Sequence, residues 1–457
     1  MRNTRLWAGI FPATLAVPGT VHAAEHLDLT GHWLGFCAVA LFLVAYALVA
    51  TEEWTRLRKS TPVLIAAGFI WMLVAVAARG SHAQDVLSGS ARESILDYAE
   101  LLLFLLVAMT YVNAMTDRQV FAAMRGWLLR RRFSMRALFW ITGLLSFFLS
   151  AVIDNLTTSL VMGSLVLGIT GNRRFLTLAC INIVVAANAG GAWCAFGDVT
   201  SLMVWQAGRL EFFEFFQLLL PSAVAWLVPA SAMHLALPRG LTIEEPTRAA
   251  VLRSGGTAVV ALFVLTLATA VSLQNLVGLP PVMGMMLGLG YLKAYGYWLR
   301  RHGVGGVGDQ SPFDVFGYIA RVEWDTLLFF YGVILCVGGL ATLGYMELLA
   351  DLSYSRMGPT VANILVGVAS AVVDNIPVMA AVLEMNPPMS EGQWLLVTLS
   401  AGIGGSLLSI GSAAGVALMG QAREHYTFFG HLRWLPAIAL GYAAAIWVHL
   451  LVNRALF

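Results

Sequence analysis

Charge is what this sequence has least of. Of its 457 residues, 11% are Asp, Glu, Lys or Arg and 59% are hydrophobic, where an average soluble domain carries about 25% charged residues. That balance excludes a soluble globular chain. Long polar stretches are missing too. Hydrophobic runs follow one another from end to end, parted by short Arg-bearing loops in which no separate soluble domain fits, which is the pattern of a polytopic helical membrane protein. The net charge of +2 comes from basic residues scattered among loops, so nucleic acid is not a partner and the lipid bilayer is. Cysteine is scarce as well. Cys37, Cys180, Cys194 and Cys336 show no C-x-x-C spacing, so they indicate no disulfide framework, zinc site or other cofactor and read as small buried apolar residues. The nine histidines form no H-E-x-x-H pair and read as loop and helix-end residues.

What is present is membrane-spanning material. Residues 1–23 carry the three parts of a secretory signal peptide: a basic start, an apolar stretch and V-H-A at 21–23. Apolar spans follow at 33–51, 62–79, 97–115, 137–170, 175–207, 215–237, 257–277, 281–298, 325–345, 359–388, 392–420 and 434–453. The positive-inside rule puts Arg56, Arg58 and Lys59 in the cytoplasm, together with the basic loop from Arg125 to Arg136 and the pair Arg173 and Arg174. Span 137–170 lies between two such loops, so the chain enters and returns as a re-entrant hairpin. Span 359–388 is expected to do the same from the opposite face. The expected fold is therefore an all-α polytopic membrane protein of ten crossings and two hairpins. It divides into two inverted-topology repeats of five transmembrane helices plus one hairpin each: 24–238, a cytoplasmic linker at 239–256, and 257–457. The mature N-terminus is expected outside the cytoplasm.

The halves also match in sequence. S-A-V-I-D-N-L at 150–156 returns as S-A-V-V-D-N-I at 370–376, 220 positions later. G-G-A-W-C-A-F-G-D-V-T-S at 190–201 parallels G-G-S-L-L-S-I-G-S-A-A-G at 404–415, an offset of 214 that pairs Asp198 with Ser412. A-E-L-L-L-F at 99–104 parallels W-D-T-L-L-F at 324–329, pairing Glu100 with Asp325. Three correspondences in one order point to an internal duplication.

Asp154 and Asp374 fall at the hairpin midpoints, and a carboxylate at membrane depth is a functional candidate by default, as is Asp198. Gly190, Gly191 and Gly197 stand among Asn188, Asp198, Thr200 and Ser201. Gly404, Gly405 and Gly411 stand among Ser406, Ser409 and Ser412. Flexible backbone thus coincides with oxygen ligands, so 175–207 and 392–420 are expected to unwind at mid-membrane and free carbonyls for a hard cation such as Na⁺. Desolvation disfavours the charged form of a carboxylate and a bound cation favours it, so one group holds H⁺ or Na⁺ in competition, and exchange follows.

These motifs resemble the NhaD-type sodium/proton antiporters of the ion transporter superfamily. The resemblance is carried by L-D-L-T-G-H-W at 27–33, D-N-L-T-T at 154–158, A-N-A-G-G-A-W at 187–193, G-D-V-T at 197–200, D-N-I-P at 374–377 and I-G-S-A-A-G-V at 410–416. It implies a secondary transporter, not an enzyme, exchanging cytoplasmic Na⁺ or Li⁺ for external H⁺ across a bacterial inner membrane, as a homodimer. Carried over residue by residue, it implies a cation site of Asp154, Asn155, Thr157, Thr158, Asn188, Asp198, Thr200, Asp374, Asn375, Ser409 and Ser412. Proton carriers are sought among Asp154, Asp198, Asp374 and Glu100. C-A-F at 194–196 departs from the pattern, where a more polar stretch is expected. Other readings are a Na⁺-coupled carboxylate carrier of the same superfamily, an ion channel and, with no nucleophile–base motif to support it, an intramembrane hydrolase.

Overall fold

The computed structural model describes residues 28–79, 84–130, 133–168, 171–238, 252–302 and 313–457; the expected signal peptide at 1–23 and residues 239–251 of the expected linker lie outside them. Among the described residues there is no strand. The principal helices are α1 (Trp33–Ala50), α2 (Ser60–Ala77), α3 (Gln84–Asp117), α4 (Val120–Arg130), α5 (Met135–Ile153), α6 (Asn155–Leu167), α7 (Arg173–Ala192), α8 (Val199–Gln206) and α9 (Leu219–Ala236). They continue with α10 (Gly256–Ser272), α11 (Pro281–His302), α12 (Trp324–Thr342), α13 (Pro359–Ala369), α14 (Asn375–Met385), α15 (Glu391–Gly404), α16 (Ala413–Gln421) and α17 (Leu435–Val452).

Nine helices among the described residues are long and apolar enough to cross a membrane. Eight coincide with crossings expected from the sequence. The ninth, α5, was expected to be half of a hairpin, but its 19 residues suffice for a crossing by length. Two expected crossings are not among the nine. In α11 the apolar run is diluted by glycines, tyrosines and Lys293, and 392–420 is divided into α15 of 14 residues and α16 of 9.

Several helices start where a side chain can take the free amide groups of the first turn. Ser134 Oγ accepts from Ala137 N, Asn172 Oδ1 from Phe175 N and Ser390 Oγ from Gln393 N, opening α5, α7 and α15. Burial then separates a centre from a periphery. The α7 span is 94% buried and the α12 span 83%, whereas α1 is 22% and α10 and α17 are 33% each. The apolar outer faces of the peripheral helices suit lipid. The wholly enclosed α7 carries Asn182, Asn188 and small residues on every side, as a helix surrounded by other helices requires.

Helices α5 and α6 pack on each other and both pack on α7, and α13 and α14 pack on α15 in the same way. The two sets interlock: α6 lies against α16, α14 against α8, and α7 against α15. Close approach depends on glycine at matching places. A Cβ on Gly190 would collide with the Phe147 carbonyl, and one on Gly404 with the Gly367 carbonyl. Phe147 and Gly367 are themselves 220 positions apart, so the same backbone contact occurs twice.

Candidate functional site

Four helix ends converge where these sets interlock. α7 stops at Ala192, residues 193–198 leave the helical path, and α8 begins under Asp198. α15 stops at Gly404, residues 405–412 do likewise, and α16 begins under Ser412. The two caps adopt nearly the same backbone, φ −143° and ψ 151° at Asp198 and φ −145° and ψ 149° at Ser412. C-A-F at 194–196 does not prevent the unwinding: Phe196 turns into an aromatic cluster with Phe104, Trp205 and Phe212. Ser150 and Ser370 each reach across to the helix that breaks, donating to the carbonyls of Ala187 at 2.7 Å and Ala401 at 2.8 Å.

The tips between α5 and α6 and between α13 and α14 are less alike. Asp154 sits at φ 106° and ψ 157°, a region close to glycine-only, whose occupation costs about 1–3 kcal/mol and is characteristic of functional sites. Its two oxygens accept from Thr157 N and Thr157 Oγ1, both at 2.8 Å, so the carboxyl caps α6 as it restarts. Asp374 has φ −38° and ψ 142°, and its Oδ1 is buried with no hydrogen-bond partner. The charges of Asp198 and Lys59 both reach Asp374. Although the apolar stretches bearing these aspartates hold no Lys or Arg, the fold brings Lys59 near from the start of α2.

Side chains then join the two sets. Asn155 Nδ2 donates to Asn188 Oδ1 at 3.2 Å. The Asn188 amide in turn donates to Ser406 Oγ and Ser412 Oγ, both at 2.9 Å. From the other set, Asn375 Nδ2 donates to Asp198 Oδ2 at 2.7 Å. Asn155, Asn188, Ser406 and Ser412 thus form one hydrogen-bonded group and Asn375 and Asp198 a second. Thr200 is fully buried with its hydroxyl beside the Asp198 carboxyl but outside hydrogen-bonding geometry. Thr158 is fully buried with an unpartnered hydroxyl, and Thr157 serves Asp154. Ser409 stands apart, its hydroxyl on Met419 Sδ at 3.8 Å. Sequence reasoning placed Ser406 among the oxygens of the second break but not in the cation site, and it passed over Ser150 and Ser370 as braces, although recurrence of the serine in both S-A-V repeats was a usable signal.

Glu100 lies outside this network. It lines a cavity of about 610 Å³ together with Glu93, Asp97, Glu347, Glu384 and Arg209. Farther along α3, Phe104 and Leu105 border a much smaller void that also touches Asp154 and Asp198. Asp325, its sequence counterpart, instead accepts from Ser60 Oγ at 2.5 Å. Of the cysteines, Cys180, Cys194 and Cys336 are buried as expected, but Cys37 is exposed on the outer face of α1. Among the described residues no group of three or more His, Cys, Asp or Glu side chains is arranged to hold a metal ion. The polar groups gathered at the helix breaks are carboxylates, amides and hydroxyls.

Sequence comparison supplies the class, a membrane transporter: the citrate transporter family, CitMHS, matches residues 30–402. A Na(+)/H(+) antiporter NhaD of Alkalimonas amylolytica is 52% identical, with 98% of this chain and 97% of the relative covered. The Na(+)/H(+) antiporter NhaD of Vibrio cholerae is 50% identical, with 95% of each covered. The sodium/proton antiporter 1 of Arabidopsis thaliana is 32% identical over 91% of this chain and 72% of its own. The chain belongs to the NhaD-type sodium/proton antiporter family, as a membrane transporter and not an enzyme.

Proposed function

We propose that this protein exchanges cytoplasmic Na⁺, or Li⁺, for external H⁺ by alternating access, with cation and proton competing for Asp154, Asp198 and Asp374. The observation that carries the reading is the crossed pair of contacts at the helix breaks, Asn188 to Ser412 and Asn375 to Asp198. Each set of helices supplies part of the other's polar shell, so relative movement of the sets would dismantle and rebuild one shared site. The unpartnered oxygen of Asp374 and the unpartnered hydroxyl of Thr158 suit a cation that supplies what the protein leaves unpaired. Ser409 and Thr200 would join as ligands on a small local rearrangement. Carbonyls freed at 193–198 and 405–412, flanked by Gly190, Gly191, Gly197, Gly404, Gly405 and Gly411, complete an all-oxygen set for Na⁺.

In this reading the two sets are inverted repeats, 24–238 and 257–457, and α5–α6 and α13–α14 are re-entrant hairpins from opposite faces. The repeated backbone contacts and matched caps support both. The acidic cavity lined by Glu100 opens outward, with Glu100 passing protons toward Asp198. The protein acts as a homodimer in a bacterial inner membrane, with its mature N-terminus in the periplasm.

In everted vesicles holding a preformed pH gradient, added Na⁺ or Li⁺ should collapse the gradient. Asp154→Asn and Asp374→Asn should each abolish the response while leaving the amount of folded protein unchanged. Competition further requires the Na⁺ half-saturation concentration to rise as pH falls. Full activity in both variants would overturn the reading. The citrate transporter family match favours a second one, Na⁺-coupled carboxylate uptake. Five acidic side chains against Arg209 around the large cavity would repel such an anion, and carboxylate-dependent Na⁺ uptake is the observation that would restore it.

A further inference from the structure

The two helix breaks are held open by different means. At the first, a hydroxyl in the opening turn of α8 gathers the unwound segment. Ser201 Oγ lies 2.9 Å from the carbonyls of Cys194 and Asp198 and 3.4 Å from that of Gly191, and it accepts from Asp198 N at 3.3 Å. It ties the start, middle and end of the unwound turn to one point. The position that corresponds to Ser201 at the second break is Gly415, at the offset of 214 that relates the two glycine motifs. No hydroxyl can stand there, because a Cβ on Gly415 would collide with the Ser409 carbonyl.

The second break is braced from outside. His431 belongs to the short helix Phe428–Leu432, beyond the end of α16, and its side chain is completely buried. Its Nε2 is 2.8 Å from the Ser406 carbonyl oxygen and its Nδ1 is 2.9 Å from the Tyr426 hydroxyl, which is also completely buried. A carbonyl only accepts, so Nε2 carries the proton and Nδ1 accepts from Tyr426. Burial lowers the His431 pKa to about 4, so the ring stays neutral and this tautomer persists through the neutral range. Ser406 is the residue whose hydroxyl accepts from the Asn188 amide, and the same amide holds Ser412.

We propose that His431, set by Tyr426, is a positioning residue for the cation site: it fixes the Ser406 backbone and thereby the Asn188–Ser406–Ser412 junction. The segment joining α16 to α17 then reports directly on the site, since any displacement of that segment releases the second break while Ser201 keeps the first one closed on itself. The role rests on the proposed Na⁺/H⁺ exchange, and the test separates the two. In full-length protein reconstituted into liposomes, Na⁺-driven proton movement is measured against Na⁺ concentration, and thermal unfolding of the same samples is followed in parallel.

His431→Leu should raise the Na⁺ half-saturation concentration about three- to tenfold, the range expected for losing one buried hydrogen bond, with a smaller change in maximal rate. His431→Gln, whose amide nitrogen reaches the place of Nε2, should return it to within about twofold of the unsubstituted value. Tyr426→Phe keeps the ring and removes only the hydroxyl, so it serves where His431→Leu fails to fold; it should shift half-saturation the same way by about twofold. A purely structural histidine would lower the unfolding temperature in folded samples and leave half-saturation unchanged in all three variants, and that result overturns the proposal. Absence of Na⁺-driven proton movement in the unsubstituted protein would instead remove the exchange reading itself.

Discussion

The break between α7 and α8 and the break between α15 and α16 share a backbone and differ in chemistry. Both follow a Gly-Gly pair, both receive a serine hydroxyl from a neighbouring helix, and both end in a cap at the same φ and ψ. The first ends in a carboxylate, Asp198, and is tied internally by Ser201. The second ends in a hydroxyl, Ser412, and is tied by His431 from a later segment. The shared backbone goes with the two glycine motifs that stand in register at an offset of 214. The difference means that negative charge is concentrated in one break, while the other supplies neutral oxygens and a link to the loop before α17. An arrangement of two identical carboxylate breaks would bring further like charges into low dielectric beside Asp374, at high cost.

That asymmetry can be broken experimentally, beginning with the caps. Asp198→Asn should eliminate Na⁺-driven proton movement in vesicles, because it removes the carboxylate while leaving an amide oxygen that can still accept from Asn375. Ser412→Ala removes only an acceptor and should raise Na⁺ half-saturation about tenfold while leaving exchange measurable. Equal tolerance of both would mean that the carboxylate is not what distinguishes the first break.

The shared backbone is tested next. Gly190→Ala and Gly404→Ala each force a methyl group onto a facing carbonyl, an overpacking cost of about 1–3 kcal/mol. Both should lower the unfolding temperature by similar amounts in detergent, and a variant that unfolds like the unsubstituted protein would show the two contacts are not equivalent.

A smaller effect is expected of Ser201→Ala, which frees the carbonyls of the first break at about 1–2 kcal/mol. Because Ser201 and His431 share no partner, the loss of stability in Ser201→Ala and His431→Leu should add in the double variant. A clear departure from additivity would mean that the two braces act on one element.

The smallest change is expected from Ser150→Ala and Ser370→Ala, each deleting one hydrogen bond worth about 0.5–1.5 kcal/mol. Unfolding temperatures of the two variants should fall alike, and a large disparity would confine the two-fold relation to the breaks themselves.

Much of this site was legible from one chain. Aspartate followed by asparagine inside an apolar run, repeated after 220 positions, marks both tips because burying charge is costly enough to need a reason. Gly-Gly in register with Asp198 and Ser412 marks both breaks, because glycine lets backbones touch and frees them to leave the helix. Composition also located most of the apolar helices, although the helix expected from 97 begins at Gln84. Composition did not give the length of α5, since hydropathy cannot tell a long arm and a short arm from two equal ones. Nor did it separate Glu100 from the network: an acidic residue in an apolar helix looks the same from sequence whether it faces a cavity or a ligand. His431 was read with the other dispersed histidines, because nothing local to T-F-F-G-H-L-R announces a contact with a carbonyl 25 residues earlier.

The sequence by itself determined that this is a helical membrane protein with motifs that recur in register, and which polar residues stand out of place in it. Those follow from local facts: transfer free energy, helix periodicity and the restrictions on each backbone position. Only the tertiary structure decided which polar groups meet, so that Asn188 links Asn155 to the second break, Asn375 crosses to Asp198 and His431 returns to Ser406. Hydrogen bonds act over about 3 Å between atoms far apart along the chain, and packing alone brings such atoms within that reach.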